Sequence, residues 1–441
     1  MFELLPQDPI AKQDFPSFID SIQNGCGIHL LHICRGVVWK VVHILVINSG
    51  SSSIKFSIFE GAQKPTSWPR PLFTGEITGM GGPHLGYTLR DANGQELSSA
   101  DPQKADPMKL LQDAISRPGM PPIDAVGYRV VHPGALLDRH QRITDQVLKD
   151  LEQAVVFAPL HDPEAITLIR DMMNRFPQAR HYACFDTIFH QTMPAEASTY
   201  AIPVAYRRQG VRRYGFHGLS CEAVVDDIRA AADGPFPHHM IIAHLGSGCS
   251  VTALVDGRSV DNTMGLTPTG GVVMGTRPGD LDPGLVLYLL RQAEGDRVSA
   301  MNSVETVLNH QAGMVALSGQ PNDMRATRKA AKEGSGDARL ALDVFTRSVR
   351  KAIGAFAWLM GGLDAVVFTG GIGEHDVQSR AEILRGLENC GVILDTEANQ
   401  ADGDNLRRVS SPDSKVALWV VTAQEDRMIA VHVGQMEVAQ Q

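Results

Sequence analysis

A chain of 441 residues is too long for one ordinary hydrophobic core, so at least two domains are expected. Hydrophobic residues make up 43% and charged ones 20%, the balance of a soluble globular protein. A net charge of −9 argues against a nucleic-acid partner or a membrane surface, and six scattered cysteines with no CxxC pair fit neither a disulfide framework nor a zinc site. That cysteine usage points to a reducing compartment, and the cytoplasm is the expected location.

The first forty or so residues match poorly with the rest of the chain. Residues 28–47 are fairly apolar, but His29, His32, Arg35, Lys40 and His43 interrupt them, which a spanning helix or secretory segment would not tolerate. Residues 1–41 read as a loosely attached extension or as an upstream start codon chosen in error. An intact mass showing all 441 residues in natively expressed protein would refute the second reading.

Residues 44–60, ILVINSGSSSIKFSIFE, predict a strand, a tight turn and a second strand, because alternation at period two comes after the break. The small hydroxyl residues around Gly50, with Lys55 beyond them, would suit an anion such as a phosphate; a serine-rich surface hairpin has the same composition. Further strands are expected near 71–77 and 127–131, with a glycine-rich turn at 79–86 between them. Helices are expected near 143–157 and 163–175, interrupted by prolines. Residues 181–185 predict a short strand with Asp186 at its carboxyl end. His238-His239 reads as a solvated turn.

Residues 240–256, MIIAHLGSGCSVTALVD, repeat the opening pattern. At an offset of 196, Gly50 meets Gly246, Ser51 meets Ser247 and Asn48 meets His244. A third strand near 258–263 again comes next, so a duplicated domain is expected. Beyond it come a glycine-rich loop from Gly270 carrying Arg277, and a long helix near 340–360 with Phe345, Val349, Ile353 and Phe356 on one face. A buried strand, 365–369, runs into Gly370-Gly371-Ile372-Gly373-Glu374, and a last strand near 416–421 leads to Glu425.

Three glycine-bearing turns after apolar strands suggest a nucleotide held between domains. GxGxxG would need glycine where Asp376 stands, and no GxxxxGK[ST] occurs. An arginine in an apolar strand is costly unless it meets an anion, so Arg129 and Arg277 read either as a clamp on a carboxylate and a phosphoryl group or as structural ion bridges. Asp186 ends a strand, where acids reach metals in open α/β sheets; a helix N-cap is the plainer alternative.

The motifs NSGSSSIKF, PLHDPEAI, FDTIFHQTMP, RRYGFHGLS, AHLGSG, MGTRPGDLDPG and FTGGIGE, in that order from Val42 to about Ala430, resemble those of the acetate kinases. The resemblance implies an α/β fold of two duplicated actin-like ATPase-type domains, each with a ribonuclease H-like core, around a nucleotide cleft. It divides the chain into an acyl-side domain at 42–188, to which 427–441 return, and a nucleotide-binding and dimerisation domain at 189–426. It implies reversible transfer from ATP to acetate, giving acetyl phosphate and ADP, with Mg²⁺ (or Mn²⁺) and a homodimer. Propionate or butyrate as acceptor and a non-kinase actin-like ATPase are the alternatives.

By the same resemblance Asn48 and Glu425 attend the metal, and Lys55 a phosphate. Arg129 and Arg277 frame the acyl carboxylate and the transferred phosphoryl group. Asp186, His161 and His217 are catalytic, the last in transition-state stabilisation. The nucleotide falls to His244, Leu245, Gly246, Ser247 and Gly248, to Asp323, Met324 and Arg325, and to a loop of Gly371, Ile372, Gly373, Glu374 and His375. Val131, Leu160, Phe216 and Pro268 form the pocket for the acyl methyl group. A carboxylate acceptor is already ionised at neutral pH, with a pKa near ~4, so no general base is needed. Asp186 is therefore expected to orient metal-bound water or an arginine. Ser247, Met324, Pro278, His375 and Cys221 depart from the family pattern, and the departures bear on nucleotide preference.

Overall fold

The computed structural model describes residues 33–34, 37–38, 41–50, 53–61, 69–80, 85–100, 106–157, 162–231, 234–403 and 405–439. The chain separates into two compact units, Met1–Val41 and Val42–Gln441. The first contributes one antiparallel pair, Ile33–Cys34 with Val37–Val38. The second contains both large sheets and, among the described residues, every helix.

Its first sheet opens with an antiparallel meander: β1 (Val42–Ser49), β2 (Ser53–Gly61), β3 (Pro71–Thr78), β4 (Gly86–Asp91) and β5 (Glu96–Ala100). Then come β6 (Ala125–Val130), β7 (Gln141–Arg142) and β8 (Arg180–Phe185), giving the order β5-β4-β3-β2-β1-β6-β8-β7. Strands β1, β6 and β8 run parallel, and helices cover both faces of them, which is why β1 is apolar without alternation.

The second sheet is built alike. Strands β9 (His239–Leu245), β10 (Cys249–Val255) and β11 (Arg258–Asn262) form the meander, and β12 (Ala365–Thr369), β13 (Leu406–Arg408) and β14 (Ala417–Val421) complete it. The order is β11-β10-β9-β12-β14-β13, with β9, β12 and β14 parallel. The expected duplication is thus present in the register. Ile44 pairs with Ala125, and Met240, 196 residues on, pairs with Ala365. After the turn the offset drops to 195, because Ser49 faces Ile54 whereas Leu245 faces Cys249.

Three local expectations change. The helix expected at 143–157 is Asp145–Ala154, capped by Thr144, with a tighter turn at Val155–Phe157. The loop expected after β12 is a helical turn, Gly370–His375, whose end is held by buried Arg380 bonding the carbonyls of Gly373 and Glu374. His239 opens β9 instead of lying in a turn. The long helix is Gly336–Leu359, and its apolar stripe lies against the second sheet as expected.

Two helices tie the sheets together. Glu425–Ala439 returns to the first sheet, where Ile429 and Val433 press on Gly127; a β-carbon there would stand 2.6 Å and 2.8 Å from their methyls, so β6 needs glycine at that point. Gly218–Ala231 is shared: Leu219 and Ala223 pack with Ile44, Cys184 and Ile429, while Cys221, Val224 and Ile228 pack on Met240, Ile242 and Val367. Among the described residues no helix is long and apolar enough to cross a membrane.

Candidate active site

Parallel strands β1, β6 and β8 present Asn48, Arg129 and Asp186 at their carboxyl ends, the edge where open α/β sheets hold ligands. The register sets Asn48 beside Arg129, and Nη1 of the arginine donates to Asn48 Oδ1 at 3.3 Å. Arg129 Nε reaches Asp186 Oδ1 at 2.9 Å and Nη2 reaches Oδ2 at 2.5 Å, a bidentate fork. Asp186 is 1% exposed. Burial raises its carboxyl above the ordinary value, while the Arg129 guanidinium pulls against that rise. The fork fixes the orientation of the Arg129 guanidinium.

The start of the last helix adds two acids. Asn48 Nδ2 donates to Glu425 Oε2 at 2.9 Å and to Asp426 Oδ1 at 3.2 Å, and Ser57 Oγ donates to Asp426 Oδ2 at 2.8 Å. Burial pushes Glu425 up, but Arg129, His244, Asn48 and Lys55 together hold it below the usual value. Asp426 goes the other way, raised by burial despite Ser57 and Asn48. Exposed Lys55 lies across the ladder from Asn48.

The cluster is completed by His217, directly before helix Gly218–Ala231, by His244 of β9 and by Arg277 of the loop after β11. His217 has φ 60°, a left-handed conformation that costs a non-glycine residue roughly 1–3 kcal/mol. It is held there by Nδ1 against Ser250 Oγ at 2.9 Å and by stacking on His244, ring centroids 4.1 Å apart. The next residue, Gly218, donates its amide to the Asp186 carbonyl at 2.7 Å; a β-carbon on it would meet that oxygen at 2.3 Å. Burial, the His244 ring and the charges of Arg129 and Arg277 push His217 well below the usual imidazole value. It is neutral at pH 7 and acts as a hydrogen-bonding group, not a charge. His244 bonds Ser220 Oγ at 2.9 Å, and burial lowers it to about 4. Arg277 Nη1 donates to the Pro268 carbonyl at 3.0 Å, and burial lowers its pKa. His217 Nε2 and Arg277 Nη1 both approach Gly248, each 3.5 Å from where its β-carbon would stand.

Next to this cluster lies a cavity of about 550 Å³. It is walled by Gly246 and Ser247 of the β9–β10 turn, by Asp323, Met324 and Arg325, and by Gly371, Ile372 and His375. Other residues of the same motifs point elsewhere. Leu245 is buried in the core of the second sheet. Gly373 and Glu374 give their carbonyls to Arg380, and the Glu374 side chain accepts from the Ala423 amide at 2.9 Å. Of the residues expected around the acyl methyl group, Phe216 and Pro268 are buried and Val131 packs against the core cluster that contains Phe216. His132 stacks on Phe157, with centroids 5.2 Å apart, and meets Tyr214 edge-on. Leu160 and His161 lie outside the described residues.

The profile of the Acetokinase family matches residues 43–431. The chain belongs to the acetokinase family. It is 41% identical over 392 residues to the acetate kinase of Deinococcus radiodurans, covering 88% of this chain and 96% of that one. Among solved structures it is similar to Porphyromonas gingivalis acetate kinase (TM-score 0.76, 31% identity, 90% of this chain and 100% of that one). It is also similar to a propionate kinase from Francisella tularensis (TM-score 0.78, 32% identity, 88% and 98%). As an acetokinase it is a phosphotransferase of the acetate kinase type, with a carboxyl group as acceptor and ATP or ADP as co-substrate, on the two-domain actin-like fold.

In this acetokinase several residues of the site escaped the sequence motifs. Asn322 Nδ2 donates to Ser247 Oγ at 3.0 Å and closes one wall of the cavity, and Arg328 with Asp376 forms another part. Ser57 and Asp426 had signals: Ser57 shares a strand face with Lys55, and Asp426 adjoins Glu425. Asn322, next to Asp323, had only adjacency.

Proposed function

We propose that the chain transfers the γ-phosphoryl group of ATP directly and in line to acetate, giving acetyl phosphate and ADP, reversibly. One observation carries this reading: Arg129 from a strand end, Arg277 from a glycine-rich loop and His217 from a helix start converge beside the cavity that would take the nucleotide. An acetate oxygen attacks the γ-phosphorus, the bond to the β,γ-bridging oxygen breaks, and ADP leaves with that electron pair. No proton needs removing, so the task is to hold two anions in line and to stabilise the developing charge. Arg129, made rigid by Asp186, takes the carboxylate; Arg277 and His217 take the transferring group; Lys55 attends the phosphates.

The acid cluster suits Mg²⁺. Glu425 is held ionised, and Asn48 and Asp426 stand beside it, a hard-oxygen set of the kind that shares Mg²⁺ with nucleotide phosphates. Bound there, the ion would neutralise phosphate charge, and Mn²⁺ would serve as an alternative. Hydroxamate trapping of acyl phosphate with acetate, propionate and butyrate tests the reaction, and no trapped product with any of the three would overturn it. Propionate is the second reading, because one methylene changes discrimination by only ~1–3 kcal/mol and a propionate kinase is among the similar structures. The rates across the three acids decide between them.

A homodimer is part of the proposal. Helix Pro283–Gln292, PGLVLYLLRQ, has no buried residue, and Leu285, Leu287 and Tyr288 are 41%, 51% and 55% exposed. Such an apolar face marks an interaction site. Sedimentation should give twice the monomer mass; a monomer at micromolar concentration would contradict it. We further assign residues 42–188 with 427–441 to the acyl side and 189–426 to the nucleotide side. The buried free thiols of Cys184, Cys221 and Cys249 support a cytoplasmic location.

A further inference from the structure

One cluster of metal-ligating side chains takes no part in the transfer chemistry. His140 precedes β7, Glu222 lies in helix Gly218–Ala231, and His432 lies in helix Glu425–Ala439; their ligating atoms all fall within 4.8 Å of one another. His432 Nε2 is 2.8 Å from Glu222 Oε2, and the His140 and His432 rings are 4.1 Å apart at 43°. His140 is bonded on its other side, its Nδ1 accepting the Phe185 amide at 3.0 Å. Phe185 is the residue before Asp186.

We propose that His140, Glu222 and His432 form an inhibitory transition-metal site, of the Zn²⁺ or Co²⁺ kind, whose occupancy detaches His140 from the Phe185 amide and so disturbs Asp186. Two imidazoles and a carboxylate are a donor set such ions take, whereas Mg²⁺ prefers oxygens in octahedral geometry. Bonds of ~2.0–2.2 Å put tetrahedral ligand atoms ~3.3 Å apart, so modest side-chain movement closes the present spread. The one lone pair of neutral His140, on Nδ1, is engaged by the Phe185 amide, so an ion must compete with that hydrogen bond.

The inhibitory sign comes from hydrogen bonding. With Nδ1 accepting the Phe185 N–H, the His140 proton sits on Nε2. An ion can take Nδ1, displacing the amide, or take Nε2 and drive the proton to Nδ1, where it would oppose the amide N–H. Either way the bond to Phe185 is lost, and the strand end that carries Asp186 loses a fixed point. Because linkage is reciprocal, ligands that order Asp186 and Arg129 should weaken metal binding by the same factor.

The test uses the full chain with excess Mg²⁺. Wild type should bind one Co²⁺ with a visible ligand-field spectrum, and Zn²⁺ should lower turnover about tenfold, within the usual range of coupling between sites. His432→Ala and Glu222→Gln should keep basal turnover while losing both the spectrum and the Zn²⁺ effect. Co²⁺ binding unchanged in both variants, or absent from wild type, would overturn the site. Binding without inhibition would overturn the coupling to Asp186. The inhibition arm rests on the proposed reaction, but the spectrum does not, so failure of one is distinguishable from failure of the other.

Discussion

Arg129→Leu is expected to lower kcat/KM for the acid by about 10²–10³-fold or more, the loss found when a preorganised donor to a developing anion is removed. The same change leaves Asp186 buried without its cation, which costs about 3–5 kcal/mol. The two effects separate in the double variant Arg129→Leu with Asp186→Leu. It removes both charges and should recover much of the thermal stability while recovering none of the activity. Turnover by ADP release and melting temperature, measured on the wild type and the two variants, check this. If Arg129→Leu keeps activity within tenfold, the arginine is structural and the anion is held elsewhere. If the double variant melts as low as the single one, the fork stabilises the fold beyond neutralising Asp186.

The second large effect concerns Asp162, the first residue of helix Asp162–Arg175. It is fully buried, and among the described residues neither carboxylate oxygen has a hydrogen-bond partner. Burial pushes its pKa up to about 8, with the His132 backbone amide pulling it down and the Asp186 charge adding to the rise. An acid whose folded value lies above its unfolded value binds more protons when folded. The contribution of Asp162 to stability is therefore most favourable below about pH 4, declines as pH rises towards 8, and levels off above. Asp162→Asn copies the shape of the protonated acid and cannot ionise. The variant should match wild type near pH 4 and melt higher above pH 8, by a difference on the order of a few kcal/mol. Melting curves of both proteins at several pH values decide it. Parallel pH profiles would mean that Asp162 does not change charge in the folded protein.

Much of this was readable in the chain because local patterns agreed with the final packing. The hairpin of β1 and β2 announced itself through period-two alternation, and the repeat at 240–256 gave the duplication before any contact was known. Arg129 and Asp186 stood out because charged groups at the ends of apolar strands need a reason. What remained hidden depends on contacts distant in sequence. Gly370-Gly371-Ile372-Gly373 is a poor helix former, with glycine about 1 kcal/mol worse than alanine per residue, and it turns helical where Arg380 holds the last carbonyls. No motif distinguishes Gly371, which lines the cavity, from Gly373, which does not. Asp162 sits in a proline-bounded stretch that reads as exposed connection, yet it is sealed from water. Asn322 meets Ser247 across 75 residues, and only the fold brings them together.

The common register of the two sheets has an evolutionary consequence. Two positions of the site have counterparts in the other copy: Asn48 corresponds to His244, and Arg129 to Thr369, which pairs with His244 as Arg129 adjoins Asn48. One copy carries a guanidinium where the other carries a buried hydroxyl with no hydrogen-bond partner among the described residues. An ancestor assembled from two identical halves would have faced its cleft with the same chemistry on both sides and given a phosphoryl group no preferred side to enter or leave. Divergence at this pair of strand ends breaks that equivalence. At this pair of strand ends one copy carries a fixed cation and the other a hydroxyl, so the two halves of the site are no longer equivalent.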